Sequence, residues 1–160
     1  QQMHLVSNLN LFENIVVSGY LNKNTPASIV NQRAKELLDK MNLSHLNDYL
    51  PSQVSGGEQQ RAAIARAVVH EPVLLFADEP TGALNRKNTT EVLNLLSDMF
   101  EQGQSILMVT HDLKASLRAN RILYLEDGKI IGELELPPYG KQDEKDREVQ
   151  VNAWLSSMEW

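Results

Sequence analysis

Val73-Leu74-Leu75-Phe76-Ala77-Asp78-Glu79-Pro80 is the stretch on which the fold turns. Val73 to Ala77 is an unbroken apolar run of strand length. Such runs are typical of strands buried on both faces of a parallel sheet. It ends in two neighbouring carboxylates, Asp78 and Glu79. As a purely structural pair they would repel each other unless a cation stood between them, which marks them as candidate ligands or acid–base groups. A solvated strand end is the other reading of the same two residues. A second run, Ser105 to Val109, ends in Thr110-His111-Asp112. Between the runs a helix is expected from about Lys87 to Glu101, with Val92, Leu95, Leu96 and Met99 inward and Gly103 closing it. Strand, crossover helix, strand is the pattern of an α/β fold with a parallel sheet.

Upstream, Val54-Ser55-Gly56-Gly57-Glu58-Gln59-Gln60-Arg61 opens another helix, expected to run to about His70, where Glu71-Pro72 breaks it. Ser55 with Glu58 is an ordinary capping box. Two glycines directly after the cap are costly in a helix, however, and make sense where backbone must approach a ligand. The exposed N–H groups and the helix dipole would then form an anion site. Both readings fit the eight residues. Further upstream a short helix is expected around Leu11 to Tyr20. A longer one follows Thr25-Pro26, read as cap and first helical proline, with Ile29, Val30, Ala34, Leu37, Leu38 and Met41 on one face. Downstream, Arg121–Leu125 and Lys129–Leu136 should pair as a hairpin through Asp127-Gly128. Val151, Trp154, Leu155 and Met158 form a helical stripe in the tail, expected to pack on its own domain.

Composition narrows the class. The chain has 160 residues, 42% of them hydrophobic and 22% charged, the make-up of one globular domain. No apolar run reaches the roughly 18–20 residues of a bilayer span. Without cysteine there is no disulfide and no thiolate metal site. The net charge of −6 argues against a broad nucleic-acid footprint. Part of it sits in a polar tail, where residues 133–160 hold seven acidic and three basic side chains. His4, His45 and His70 show no metal-ligand spacing.

The three stretches, in this order and spacing, resemble the nucleotide-binding domain of ABC transporters: signature motif, Walker B strand with its catalytic glutamate, and switch histidine. The resemblance covers about residues 1–135 and is greatest for the bacterial branch serving macrolide export, lipoprotein release, peptide resistance and cell-division signalling. It implies a P-loop NTPase (RecA-like) parallel-sheet core with an ABC α-helical subdomain. Residues 1–70 would hold the Q-loop and that subdomain, 71–136 the RecA-like half, and 137–160 a tail helix.

The resemblance also implies roles. Ser55, Gly56 and Gly57, with Glu58, would contact the γ-phosphate of ATP held by a second copy of the subunit. Asp78 would hold Mg²⁺. Glu79 would orient or deprotonate the attacking water, and His111 would contact the γ-phosphate. Gln1 resembles the Q-loop glutamine that senses metal and water. Thr81-Gly82-Ala83-Leu84-Asn85 occupies the D-loop, with Asn85 where the family usually has aspartate. Val54 and Glu58 stand where leucine and glutamine are frequent. The partners would be a membrane permease and a second ATPase subunit, not nucleic acid. The location would be cytoplasmic, on the inner face of the cell membrane through the permease.

A phosphate loop G-x-x-x-x-G-K-[ST], which the family places upstream of the signature, does not occur in the 160 residues. The expectation is therefore a domain that is N-terminally truncated, inactive alone, and given to self-association through uncovered sheet edges. Two alternatives carry different expectations. A non-catalytic regulatory or binding module would lack the loop by nature. A soluble ABC-type ATPase acting on DNA or ribosomes would carry basic surfaces and coiled-coil insertions, which this sequence lacks.

Overall fold

The computed structural model describes residues 4–21 and 24–158, which gather into two compact units that divide between Val109 and Thr110. In the first unit α1 (Leu11–Tyr20), α2 (Ala27–Lys40) and α3 (Gly56–Val68) precede β1 (Leu74–Asp78), α4 (Arg86–Glu101) and β2 (Ser105–Val109). Asn10 caps α1 in a reciprocal box with Glu13. Asn14, fully buried, fastens the preceding loop: its carbonyl oxygen accepts from the Val6 N–H, and its amide donates to the carbonyls of Val6, Leu9 and Asn10. The start of α2 differs from expectation. Pro26 holds an extended backbone (ψ 141°) in the cap position without a side-chain bond, so the first helical residue is Ala27. Val30, Ala34, Leu38 and Met41 are buried as expected, while Ile29, at the helix start, remains 40% exposed.

One apolar cluster joins Leu11, Ile15 and Val16 of α1 to the buried stripes of α2, α3 and α4. Leu11 and Ile15 lie wholly inside it, and truncating either to alanine should cost about 2–5 kcal/mol. The strands pair in parallel, Leu74 opposite Ser105 through Asp78 opposite Val109. Their burial corrects the sequence reading. Leu75, Ile106 and Met108 pack on the cluster, but Leu74, Phe76, Leu107 and Val109 are exposed, Phe76 to 71%. The cluster, with its helices, lies against a single face, and among the described residues of this unit nothing covers the other. A run apolar on both faces is therefore buried on one.

The second unit contains α5 (Leu113–Ser116), β3 (Arg121–Glu126), β4 (Lys129–Glu135) and α6 (Glu144–Ser157). The strands form an antiparallel hairpin. Its turn takes left-handed backbone at both Asp127 (φ 48°) and Gly128 (φ 75°), the conformation that a tight two-residue turn demands. The tail stripe packs within its own unit. Val151 and Leu155 join Leu117 and Leu136, and Trp154 meets Tyr124 edge to face at 6.5 Å. Arg147, 3% exposed, donates to the carbonyls of Leu117, Pro137 and Ala119 at 2.9, 2.7 and 2.6 Å. Those bonds satisfy a buried cation and tie α6 to the end of α5.

Candidate functional site

The first part of the site is the start of α3. Ser55 is the N-cap, with extended backbone, and its hydroxyl both accepts from the Glu58 N–H and donates to the Glu58 carboxylate. That carboxylate returns to the Ser55 N–H at 2.7 Å. The hydroxyl and then the N–H of Ser55, followed by the charges of Arg61 and His45, hold Glu58 below the usual carboxylate range. Gln59 steadies the approach to the turn by donating to the carbonyls of Pro51 and Val54. The two glycines differ. Gly56 is exposed, at the N-terminus of a helix long enough to carry a dipole. Gly57 is buried, and a Cβ on it would lie 2.5–2.9 Å from the side-chain amide of Asn88 on α4.

The second part is the end of β1. Asp78 is exposed at the last ladder position, opposite Val109. Glu79 continues the ladder by donating its N–H to the Val109 carbonyl at 2.8 Å, then turns into left-handed backbone at φ 44°. That conformation costs a side-chain-bearing residue about 1–2 kcal/mol and is typical of functional turns. The turn closes as Gly82 donates to the Glu79 carbonyl and Leu84 to that of Thr81. Glu79 Oε2 lies 3.8 Å from where a Gly82 Cβ would stand. Asn85 then caps α4, accepting from the Asn88 N–H at 3.0 Å.

A cavity of ≈200 Å³ opens beside the strand end, with His4, Gln60, Arg66, Asp78, Glu79 and Pro80 among its lining. Arg66 donates to the His4 carbonyl at 2.6 Å, and burial lowers its pKa from the ordinary arginine value. The donor set fits a magnesium ion that keeps water and phosphate oxygens. Two adjacent acidic side chains are available, and no cluster of three or more metal-binding side chains exists among the described residues to form an all-protein cage.

Of the residues read from the sequence, Ser55, Gly56, Gly57 and Glu58 share the start of α3, and Asp78 and Glu79 share the cavity. Asn85 caps the neighbouring helix. His111 lies in the second unit, exposed, before Asp112, which caps α5 by accepting from the Lys114 N–H. Gln1 lies outside the described residues. Sequence reading missed Gln60 and Arg66 on the cavity wall and Asn88 against Gly57. The helical stagger of Gln60 with Arg61 and Ile64 gave no signal for the wall, because polar residues on a helix ordinarily face solvent.

Comparison with known proteins follows the same residues. The ABC transporter family profile matches residues 1–82. A macrolide export ATP-binding/permease protein, MacB of Chlorobaculum tepidum, is 39% identical over 137 residues, covering 82% of this chain and 20% of that protein. MacB 2 of Yersinia pestis bv. Antiqua is 41% identical over 133 residues, covering 83% and 20%. The chain thus spans about a fifth of these relatives' length. Two solved dimers are similar in structure: the ATP-binding cassette MJ0796 in a post-hydrolysis state with ADP and Pi, and MJ0796 described as a bacterial ABC transporter cassette. Each superposes with a TM-score of 0.73 at 34% identity, covering 87% of this chain and 62% of the other.

Proposed function

This chain belongs to the ABC transporter family, as an ATP-binding domain of the macrolide-export branch with the P-loop NTPase fold, and on that premise we propose that it works in an ATPase subunit driving a membrane permease, in export or mechanical signalling. Two copies would sit head to tail, each Ser55–Gly57 turn meeting ATP held by the other. The observation that carries the reading is the end of β1, where Asp78 and a left-handed Glu79 face one cavity.

In this reading Asp78 holds Mg²⁺, which when bound neutralises charge on the phosphate oxygens. Glu79 orients the attacking water and accepts its proton. The N–H groups at the start of α3 receive phosphate oxygens, helped by the helix dipole. His111 donates a hydrogen bond to the charge that develops on the γ-phosphate. Gln1 would add a contact to metal and water, and Asn85 would stand at the subunit interface without the charge of an aspartate. The subunit would lie on the inner face of the cell membrane, held there by the permease. No helix among the described residues is long and apolar enough to cross a membrane.

A second reading, a regulatory module that does not hydrolyse ATP, draws on the absence of a G-x-x-x-x-G-K-[ST] loop from these 160 residues. One experiment separates the two. ATP binding and hydrolysis are measured for the 160-residue chain and for a protein that carries it together with a phosphate-binding loop. The expected result is feeble binding without turnover in the first and magnesium-dependent hydrolysis in the second. Tight magnesium-dependent binding by the 160 residues would refute the argument from the missing loop, and no hydrolysis by the longer protein would overturn the proposal.

A further inference from the structure

Inside one copy of the chain Asn88 packs against Gly57 and belongs to the helix that follows the Glu79 turn. The amide of Asn88 fills the space where a Gly57 Cβ would be, at 2.5–2.9 Å. One turn further along, Arg61 pairs with Glu91 at 2.7 Å, so α3 and α4 run side by side with their N-termini together. From Asn88 back to Glu79 the chain is held by short-range hydrogen bonds joined through its own backbone. The Asn88 N–H donates to the Asn85 side chain, Leu84 donates to the Thr81 carbonyl, and Gly82 donates to the Glu79 carbonyl at 3.2 Å. The Glu79 carboxylate lies over Gly82. Thr81, at the middle of this path, is 4% exposed and anchors the segment, while Gly82, Ala83 and Asn85 lie at the surface.

We propose that Asn88 is a positioning residue that registers the Ser55–Gly57 turn against the segment Glu79–Asn85, so that an anion seated on the turn fixes the placement of the Glu79 carboxylate. It rests on the ATPase reading given above. Gly57 then has a reason to be glycine besides close approach of phosphate: a methyl group there would push Asn88 away. In a head-to-tail pair the turn and the carboxylate serve different ATP molecules, so Asn88 links the two sites of the dimer through one subunit.

The test uses Asn88→Ala, Gly57→Ala and the double variant in the ATPase that carries these residues with a phosphate-binding loop. Asn88→Ala should lower kcat about tenfold or more with the ATP dissociation constant unchanged, as expected for misplacement away from the chemistry. The double variant should turn over faster than Gly57→Ala alone, because removing the amide makes room for the methyl group. An unchanged kcat in Asn88→Ala, or a double variant no better than Gly57→Ala, would overturn the proposal. Amide hydrogen exchange at Gly82 and Leu84 reads the same tie without hydrolysis. Asn88→Ala should speed exchange there and leave the core amides of α1 unchanged. Unchanged exchange at Gly82 and Leu84 refutes the tie even in an active enzyme, whereas faster exchange in a protein that hydrolyses nothing would uphold the tie and refute the ATPase reading instead.

Discussion

The start of α3 and the end of β1 are the two places where this chain would meet phosphate, and they are built in opposite ways. At the helix start the capping rules are obeyed, even though two glycines follow the cap. Ser55 and Glu58 satisfy each other, Gln59 ties down the preceding turn, and the backbone is relaxed. At the strand end the rules are broken. Two carboxylates adjoin, and Glu79 keeps a left-handed backbone that glycine would hold at no steric cost. The difference follows from the work each end would do. Holding an anion needs N–H groups fixed in advance, which a capped helix supplies by being stable. Activating water would need a carboxylate aimed at one point, and in the proposed reading the left-handed backbone of Glu79 would serve that aim.

Breaking the strand end should give the largest effect. Glu79→Gln in the loop-containing ATPase should cut turnover at least about a hundredfold, the scale of a lost general base, and leave ATP binding intact. Measured kcat and dissociation constants decide it, and unchanged turnover removes Glu79 from the role. Breaking the helix start should act on stability. Ser55→Ala removes the cap and should lower unfolding stability by about 1 kcal/mol, read from urea unfolding. An unchanged midpoint would mean that the reciprocal bonds add nothing.

Glu58→Gln sharpens the comparison with the smallest effect, one of pH. The folded chain holds Glu58 below its ordinary pKa of 4.5, so its charge stabilises the fold at pH values above that, and the contribution disappears as pH falls through the lowered value. The gap in stability between parent and variant should therefore narrow below about pH 4.5. A gap that is constant with pH would exclude the charge as its source.

The helix start was legible because a capping box and a following alanine-rich run are local patterns, and the hairpin was legible because Asp127-Gly128 demands one turn geometry. The parallel pairing of the two apolar runs was legible from their length and the helix between them. Their one-sided burial was not, since a run such as Val73–Ala77 is apolar on both faces whatever packs against it. Asn88 was invisible for a related reason. It touches Gly57 from 31 positions away, and no periodicity links two helices whose register is set by packing alone. The strain at Glu79 was hidden too, because glutamate carries no preference for left-handed backbone that its letter could announce.

The most direct measurement is the unfolding midpoint of Glu79→Gly set beside that of the parent chain. If the left-handed turn is strained and kept for chemistry, glycine should leave stability equal or raise it by up to about 1 kcal/mol, the relieved strain offset by glycine's added freedom in the unfolded chain, while the same substitution in the loop-containing ATPase abolishes hydrolysis. A clear fall in stability would contradict this, because it would make Glu79 a residue the fold needs rather than one the fold tolerates.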